Sequence, residues 1–273
     1  MLRFDGRVVI VTGAGRGLGA AYARLLTSLG GIVVVNDVEP AGAEVEVDDT
    51  NDVATETGAL ALVSGAVARH GRIDALIANA GIMRWAGFPD LTPEDLDAHL
   101  AVHLGGSFHL ARAAWPHLVA SGAGGIVVTT STGMLGLPKN VAYATAKGGV
   151  LGLMRALAFA GRRDGVAVNA IAPAASTRLA GEGGPDLPAE LAAPMAAYLA
   201  HESCPASGEI YTAGGGRFAR LFIGSTPGWV ADGAPSVDDV AAHWETINDE
   251  SGYDVPADLL SWSRQFLSHL PPP

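Results

Sequence analysis

The stretch Val8-Val-Ile-Val-Thr-Gly-Ala-Gly-Arg-Gly-Leu-Gly19 runs from β-branched residues into a turn rich in glycine, and a helical pattern follows it. The apolar run predicts a buried strand over Arg7–Thr12, and the periodicity after the turn predicts a helix over Leu18–Leu29. Glycines in this position let the backbone turn tightly and approach a pyrophosphate, whose charge then lies at the helix N-terminus. The stretch therefore predicts a dinucleotide-binding loop, with a purely structural turn as the alternative, on Gly13, Gly15, Gly17 and Gly19.

The same alternation continues over the N-terminal two-thirds of the chain. Further strands are predicted over Gly31–Val35, Glu44–Val47, Ile73–Ala78, Gly125–Thr130 and Val166–Ile171. Helices are predicted over Ala54–His70, Pro93–Val119 and Tyr143–Gly161. Strands that alternate with helices form βαβ units. The chain therefore predicts an α/β fold, a doubly wound Rossmann-type parallel sheet with helices on both faces.

The pattern loosens after Pro173 into loops rich in Gly, Pro and Ala. Helices are expected near residues 189–201, 236–248 and 257–267, and Ser236 with Asp239 is typical of a helix N-cap and its partner three residues on. The last sixty or so residues are too poor in strands to form a core of their own. We expect one domain over 1–273, with a Rossmann core over 1–214 and a C-terminal appendage over 215–273.

Composition limits the classes of function. The 273 residues are 49% hydrophobic, which is enough for a sizeable core. A formal net charge of −11 argues against nucleic acid as a partner, because phosphate backbones bind basic surfaces. Cys204 is the single cysteine, so no intrachain disulfide and no metal site is predicted. With no apolar run of roughly 18 residues, no signal peptide and no peroxisomal tripeptide, we expect a soluble cytoplasmic protein that acts on a small molecule.

Asp37 follows the second predicted strand, about 20 residues after the glycine turn, where an acid can accept hydrogen bonds from the adenosine ribose. The same carboxylate would repel a 2′-phosphate, so NAD is favoured over NADP. Arg16 in the glycine turn opposes this weakly, because a guanidinium can bind a phosphate. A solvated loop aspartate is the alternative reading of Asp37.

Tyr143 and Lys147 are spaced so that a helix places them on one face, with Cβ atoms roughly 5–6 Å apart. A nearby ammonium favours the phenolate and lowers the tyrosine pKa. Tyr143 is therefore a candidate general acid or base. The alternative is a surface tyrosine and lysine on a helix without a catalytic role, and the glycine turn in the same chain argues against it.

Four motifs in this order resemble the short-chain dehydrogenase/reductase family over nearly the whole chain: Thr12–Gly19, Asn79-Ala80-Gly81, Tyr143-x-x-x-Lys147 and Asn169-Ala-Ile-Ala-Pro173. Val102–Phe108 and His201–Cys204 resemble one branch of the family more closely, the dehydrogenases of (3R)-hydroxyacyl-CoA and of 17β-hydroxysteroids. The resemblance implies NAD-linked interconversion of a secondary alcohol and a ketone, on a 3-hydroxyacyl-CoA or a hydroxysteroid. It also implies a homodimer or homotetramer.

By the same resemblance, Tyr143 transfers the hydroxyl proton and Lys147 holds the nicotinamide ribose. The pair Asp52-Val53 borders the adenine ring, and Thr177 meets the nicotinamide side of the cofactor. The residues implied to bind the dinucleotide are Gly13, Arg16, Gly17, Leu18, Gly19, Asp37, Asp52, Val53, Asn79, Ala80, Gly81, Tyr143, Lys147, Pro173, Ala174, Ser176 and Thr177.

The chain departs from the family pattern at several positions. The family serine, counted back thirteen residues from the tyrosine, falls on Thr130, whereas a one-residue deletion would bring Ser131 into its place. The count favours Thr130 by a narrow margin, and both hydroxyls stay candidates. His103 stands where most relatives carry asparagine, either to hold a relay water or as a core histidine bonded to backbone. The short interval from Asp37 to Asp52 predicts that the helix between the second and third family strands is missing or reduced.

Two other functions are compatible with these residues. The first is an NADPH-dependent carbonyl reductase, which Arg16 supports and Asp37 opposes. The second is a nucleotide-binding protein without turnover, which has no need of an intact Tyr143 and Lys147 pair.

Overall fold

The computed structural model describes residues 2–176 and 187–270. The chain divides into two compact units, Met1–Arg220 and Leu221–Pro273. The first unit contains almost the whole sheet and the helices around it, and the second contains short helices joined by turns. The division of the sequence into one domain with an appendage from residue 215 stays a prediction.

A seven-stranded sheet forms the centre of the first unit, in the order β2-β1-β3-β4-β5-β6-β7. The strands β1 to β6 pair in parallel with their neighbours. The bounds are β1 Val8–Thr12, β2 Ile32–Asn36, β3 Ala75–Ala78, β4 Gly124–Thr129, β5 Val166–Pro173, β6 Ile210–Gly214 and β7 Arg217–Leu221. A two-residue turn joins the last two strands, with positive φ at Gly215 and Gly216, so β7 returns antiparallel to β6.

Helices cover both faces of the sheet. On one face α1 packs against α6, and on the other face α2, α4 and α5 pack against one another and the central strands. The bounds are α1 Gly17–Ser28, α2 Glu56–His70, α3 Pro93–His99, α4 Gly106–Ser121, α5 Val141–Asp164 and α6 Ala193–Ala200, with a π-helical turn at Leu100–Gly105 between α3 and α4. The predicted doubly wound Rossmann-type fold is confirmed.

The core follows the alternation of side chains along the strands. Val9, Val11 and Ile77 face the helices α1 and α6, in a cluster with Tyr22 and Leu26. The residues between them on the strands point to the opposite face and are buried as well. Because both faces are covered, these strands are continuous runs of apolar residues.

The segment between β2 and α2 differs from one part of the sequence prediction and agrees with another. Residues 37–55 contain no helix, so the expected loss of the family helix is confirmed. The predicted strand at Glu44–Val47 is wrong, because Glu44 and Val45 form a bend and the next two residues have irregular backbone. Only Asp49 forms an isolated bridge, to Asn36 at the edge of the sheet.

This segment covers the outer edge of β2 with side chains and backbone. The N–H of Val35 donates to Oδ2 of Asp48 at 2.9 Å, and the carbonyl of Val35 accepts from the N–H of Asp48 at 2.9 Å. The amide of Asn36 donates to Oδ1 of Asp49 at 2.9 Å. The side chain and the N–H of Asp48 therefore bond the N–H and C=O of Val35, which a further strand would otherwise pair.

The second unit begins at the end of β7 and has capped helices. Ser236 accepts from the N–H of Asp239 and Asp239 bonds back, so the predicted cap is confirmed at the start of α7 Val237–Ala242. Asp258 and Ser261 form the same arrangement at the start of α9 Leu259–Phe266, and α8 is Trp244–Ile247. Among the described residues, no helix has the length and apolar character needed to span a membrane.

Candidate active site

The candidate residues meet at the carboxyl edge of the sheet because parallel strands end there together. Gly13 follows β1, Asp37 follows β2 and Asn79 follows β3. Thr130 and Ser131 follow β4, and α5 carries Tyr143 and Lys147 past the same edge. The structure thus brings together residues that lie far apart in the sequence.

The glycine loop packs tightly against the segment after β3. Gly13 has a φ of +59°, and a Cβ there would lie 2.7 Å from Cα of Ala80. The amide of Asn79 donates to the carbonyls of Thr12 and Gly13, at 3.1 Å in both cases. Gly17 has a φ of +55° at the first position of α1. Backbone conformation therefore favours glycine at both positions, and at Gly13 the space does so as well.

Asp37 is buried at the end of β2 and is hydrogen-bonded to the glycine loop. Its Oδ2 accepts from the N–H of Gly15 at 3.0 Å, and its Oδ1 accepts from the N–H of Glu39 at 3.0 Å. Arg16 pairs with Glu39 at 3.0 Å and also donates to the carbonyl of Ala41. The guanidinium thus has partners in the segment that follows β2, which weakens its case as a phosphate ligand.

Tyr143 and Lys147 lie on one face of α5, as the spacing predicts. The Nζ of Lys147 is 5.6 Å from the centre of the Tyr143 ring and donates to the carbonyl of Thr129 at 2.6 Å. The lysine is buried, and burial lowers its pKa from 10.5 to about 7. Its ammonium form is therefore easily lost near neutral pH.

The pKa of Tyr143 is raised, because burial of the phenol outweighs a hydrogen bond with the side chain of Ser131. The prediction that Lys147 lowers this pKa is wrong in this structure. A buried lysine that itself loses its charge is a poor source of the field that the prediction assumed. The phenol of Tyr143 is accordingly protonated at neutral pH.

The two candidate hydroxyls have different surroundings. Thr130 is buried, and its Oγ1 donates to the carbonyl of Lys147 at 2.9 Å. Ser131 is half-buried and accepts from the N–H of Gly133 at 3.0 Å. Its Oγ and Cε1 of Tyr143 lie 3.2 Å and 3.1 Å from the place that a Cβ on Gly133 would take, so the two side chains are neighbours. The geometry therefore favours Ser131, contrary to the narrow preference of the sequence count for Thr130. The strand β4 has ended at Thr129, so strict alternation no longer decides which hydroxyl faces Tyr143.

His103 lies in the π-helical turn, with its ring centre 5.3 Å from that of Tyr143. Its Nε2 is 2.9 Å from the carbonyl of Ile82, and its buried Nδ1 has no hydrogen-bond partner within 2–176 and 187–270. Burial lowers the pKa of His103 well below its usual range, and the charge of Lys147 lowers it further. A neutral imidazole bonded to backbone agrees with the core alternative, while Nδ1 keeps the capacity to bond a water.

Sequence reasoning missed two buried polar residues that support the site. His99 accepts from the N–H of Arg84 at 3.2 Å and its Nδ1 is 2.7 Å from the carbonyl of Asp95. Asn140 donates to the carbonyl of Gly133 at 2.9 Å and accepts from the N–H of Leu137. The signals were present: His99 is one helical turn before His103, and Asn140 directly precedes α5.

The other candidates have structural contacts of their own. Asp52 accepts from the N–H of Ala54 just before α2, and Val53 is buried beside Gly106. Gly81 lies against the His103 ring, since a Cβ there would be 2.7 Å from Cε1. After β5 ends at Pro173, the N–H of Ala174 donates to the carbonyl of Ala213 and the N–H of Ser176 donates to the carbonyl of Leu187. Leu18 packs on the core. Thr177 lies outside the described residues.

These residues fit a dinucleotide. A loop that lacks side chains at Gly13 and Gly17 runs into the N-terminus of α1, where backbone N–H groups favour a pyrophosphate. Asp37 stands at the end of β2 with lone pairs that ribose hydroxyls can use. Asn79–Gly81 and Pro173–Ser176 would border the cofactor towards Tyr143.

Comparisons with known proteins find relatives over most of the chain. The short chain dehydrogenase family matches residues 7–182. A short-chain type dehydrogenase/reductase of Mycobacterium tuberculosis is 39% identical, over 91% of this chain and 96% of its own length. Peroxisomal multifunctional enzyme type 2 of Mus musculus is 36% identical over 93% of this chain, which spans only 38% of that enzyme.

Two solved structures share the fold. Full-length peroxisomal multifunctional enzyme type 2 from Drosophila melanogaster superposes with a TM-score of 0.83 at 31% identity, covering 98% of this chain and 50% of that one. A short chain dehydrogenase from Mycobacterium avium has a TM-score of 0.78 at 30% identity, covering 90% of this chain and 97% of that one. The chain thus matches whole bacterial proteins and one part of a longer animal enzyme.

Proposed function

Since the chain belongs to the short-chain dehydrogenase/reductase family and is an oxidoreductase, we propose that it interconverts a secondary alcohol and a ketone with NAD(H) as the cofactor. The observation that carries the proposal is the convergence of Tyr143, Lys147 and Ser131 at the edge of the sheet that also carries the glycine loop. A non-catalytic nucleotide-binding protein would not need this convergence of a phenol, an amine and a hydroxyl.

In the proposed mechanism the substrate oxygen lies between Tyr143 and Ser131. Tyr143 donates a proton to a ketone oxygen, or takes one from an alcohol in the opposite direction. Ser131 donates a hydrogen bond to the same oxygen and orients it. The raised pKa of Tyr143 favours the protonated phenol, which is the form needed for reduction.

Lys147 would hold the hydroxyls of the nicotinamide ribose, as the family resemblance implies. When bound, the nicotinamide supplies or accepts the hydride. The pKa of about 7 for Lys147 allows this residue to carry or release a proton near neutral pH. His103 would assist through a water on its Nδ1, in the position where most relatives carry asparagine.

The preference for NAD rests on Asp37 at the end of β2. Its carboxylate would bind the ribose hydroxyls and repel the 2′-phosphate of NADP. Arg16 supports the NADPH-dependent alternative less than the sequence suggests, because Glu39 and the carbonyl of Ala41 occupy its guanidinium. Equal affinity for NAD and NADP would overturn this part of the proposal.

For the substrate, we propose a molecule with an apolar body, in the class of 3-hydroxyacyl-CoA or hydroxysteroid. Large apolar side chains that are more than half exposed lie on the two loops beside Tyr143: Trp85, Phe88, Leu135 and Leu137. These loops contact each other through a bridge between Ala86 and Asn140. The substrate class follows the resemblance of Val102–Phe108 and His201–Cys204 to dehydrogenases of (3R)-hydroxyacyl-CoA.

The proposed assembly is a homodimer or homotetramer. Apolar side chains are exposed on the outer surfaces of α4 and α5, at Phe108, Val119 and Phe159. A cytoplasmic location also remains a prediction of the sequence.

A panel of secondary alcohols, 3-hydroxyacyl-CoAs and hydroxysteroids tests the proposal, with NADH formation followed by absorbance. On the best substrate, Tyr143→Phe should lower turnover by about 10²- to 10⁴-fold, the usual worth of a general base, with little change in NAD affinity. Tyr198→Phe is the matched control, because Tyr198 is 41% exposed on α6. A Tyr143→Phe enzyme with near wild-type turnover would exclude Tyr143 as the proton-transfer group.

A further inference from the structure

The segment after β2 folds back over the glycine loop and brings a carboxylate to the start of α1. The N–H of Gly17 donates to Oε1 of Glu44 at 2.9 Å. The N–H of Glu44 in turn donates to the carbonyl of Gly15 at 2.6 Å. Because the family helix is missing here, residues 37–44 are able to follow the loop closely.

The position of this carboxylate is the one at which a dinucleotide places its own negative charge. Gly17 is the first residue of α1, so its N–H has no acceptor within the helix. The N-terminus of a helix favours an anion by its dipole and by these N–H groups. Glu44 already supplies that anion, and its hydrogen bond with Gly17 lowers its pKa, so it is ionised at neutral pH.

Glu44 also has a second partner that remains when the Gly17 bond is lost. Its Oε2 pairs with Arg24 at 3.1 Å, and Arg24 also pairs with Glu190 at 3.0 Å. The side chain of Glu44 is 46% exposed, so it has room to move away from the loop. Release from Gly17 therefore leaves an ion pair on the surface of α1.

We propose that Glu44 competes with the cofactor phosphates at the N-terminus of α1 and thereby limits the affinity for the dinucleotide. The proposal rests on the function proposed above, since it requires that a dinucleotide binds here. A phosphate at Gly17 must displace the Glu44 carboxylate or bind beside it, and the two negative charges repel each other. Glu44 is thus a residue that sets cofactor affinity and does not take part in the chemistry.

Isothermal titration calorimetry of Glu44→Gln with NAD tests this directly. Glutamine still offers an oxygen to Gly17 but carries no charge, so NAD should bind about 2- to 5-fold more tightly, the usual worth of one charge at a helix end. ADP-ribose should gain equally, because it carries both phosphates and lacks only the nicotinamide. The gain should shrink in 1 M salt, where the screening length falls to about 3 Å.

Glu46→Gln is the matched control, since it removes the same charge from an exposed residue of the same segment. Its NAD affinity should equal that of the wild type. The inference is overturned if Glu44→Gln binds NAD equally or more weakly, if Glu46→Gln gains as much, or if the gain is absent for ADP-ribose or insensitive to salt. If the wild type binds no dinucleotide at all, both the proposed function and this inference fail. If the wild type binds NAD but Glu44→Gln gains no affinity, only the inference about Glu44 fails.

Discussion

Replacing Lys147 with methionine should change how the stability of the protein depends on pH. Burial lowers the pKa of Lys147 from 10.5 to about 7, so the folded protein gives up this proton at a lower pH than the unfolded chain does. The stability contributed by this shift is fully present above 10.5 and is lost as the pH falls through about 7. Between these values the free energy of unfolding of the wild type rises with pH because of this one group.

One pKa unit corresponds to about 1.36 kcal/mol. Integrated from pH 7.5 to pH 9.5, the shift raises the free energy of unfolding of the wild type by about 2.5 kcal/mol relative to Lys147→Met. Groups that Lys147 does not influence cancel in this difference, and the range from pH 7.5 upward lies above the titration of His103, whose pKa is lowered by burial.

The assay is urea unfolding followed by circular dichroism at several pH values, with native near-ultraviolet spectra as the check on folding. Lys139→Met controls for the loss of a lysine, because Lys139 is exposed, and its difference from the wild type should not change with pH. A difference between wild type and Lys147→Met that stays constant from pH 7.5 to pH 9.5 would refute a lysine desolvated in the folded state.

Two further predictions concern hydroxyl groups. Ser131→Ala should lose roughly 10- to 10³-fold in turnover. Thr130→Val should keep its turnover and lose about 1–3 kcal/mol of stability, because the carbonyl of Lys147 loses its donor. Steady-state kinetics and urea unfolding measure both effects, and the reverse pattern would identify Thr130 as the substrate donor. Tyr22→Phe should raise the free energy of unfolding by about 1 kcal/mol, because the buried Tyr22 hydroxyl has no partner in the described part of the chain; a loss of stability in thermal unfolding would contradict this.

The sequence predicted the central strands well because they are runs of mainly apolar residues, most of them buried. It failed at Glu44–Val47, where alternation alone suggested a strand. A strand needs a partner, and this segment instead bonds the glycine loop through Glu44. It also missed β6 and β7, which are short, partly exposed and joined through glycines.

For the candidate site, the sequence predicted the shared helix face of Tyr143 and Lys147 and the acidic residue Asp37 beside the loop. It could not choose between Thr130 and Ser131, because the choice depends on how the chain turns after β4 ends. It also gave the wrong direction for the pKa of Tyr143, since desolvation depends on burial that no spacing reveals.

The covered edge of β2 has a consequence for the behaviour of the protein in a crowded solution. An exposed strand edge offers unpaired N–H and C=O groups to any other extended chain, and this is a common route to aggregation. The carboxylate of Asp48 bonds the N–H of Val35 on that edge. Unlike a further strand, a side chain presents no new row of backbone N–H and C=O groups to a second chain. Although the helix that joins the second and third strands in most of the family is missing here, the bonded part of the β2 edge therefore does not offer another copy of the chain a site for strand pairing.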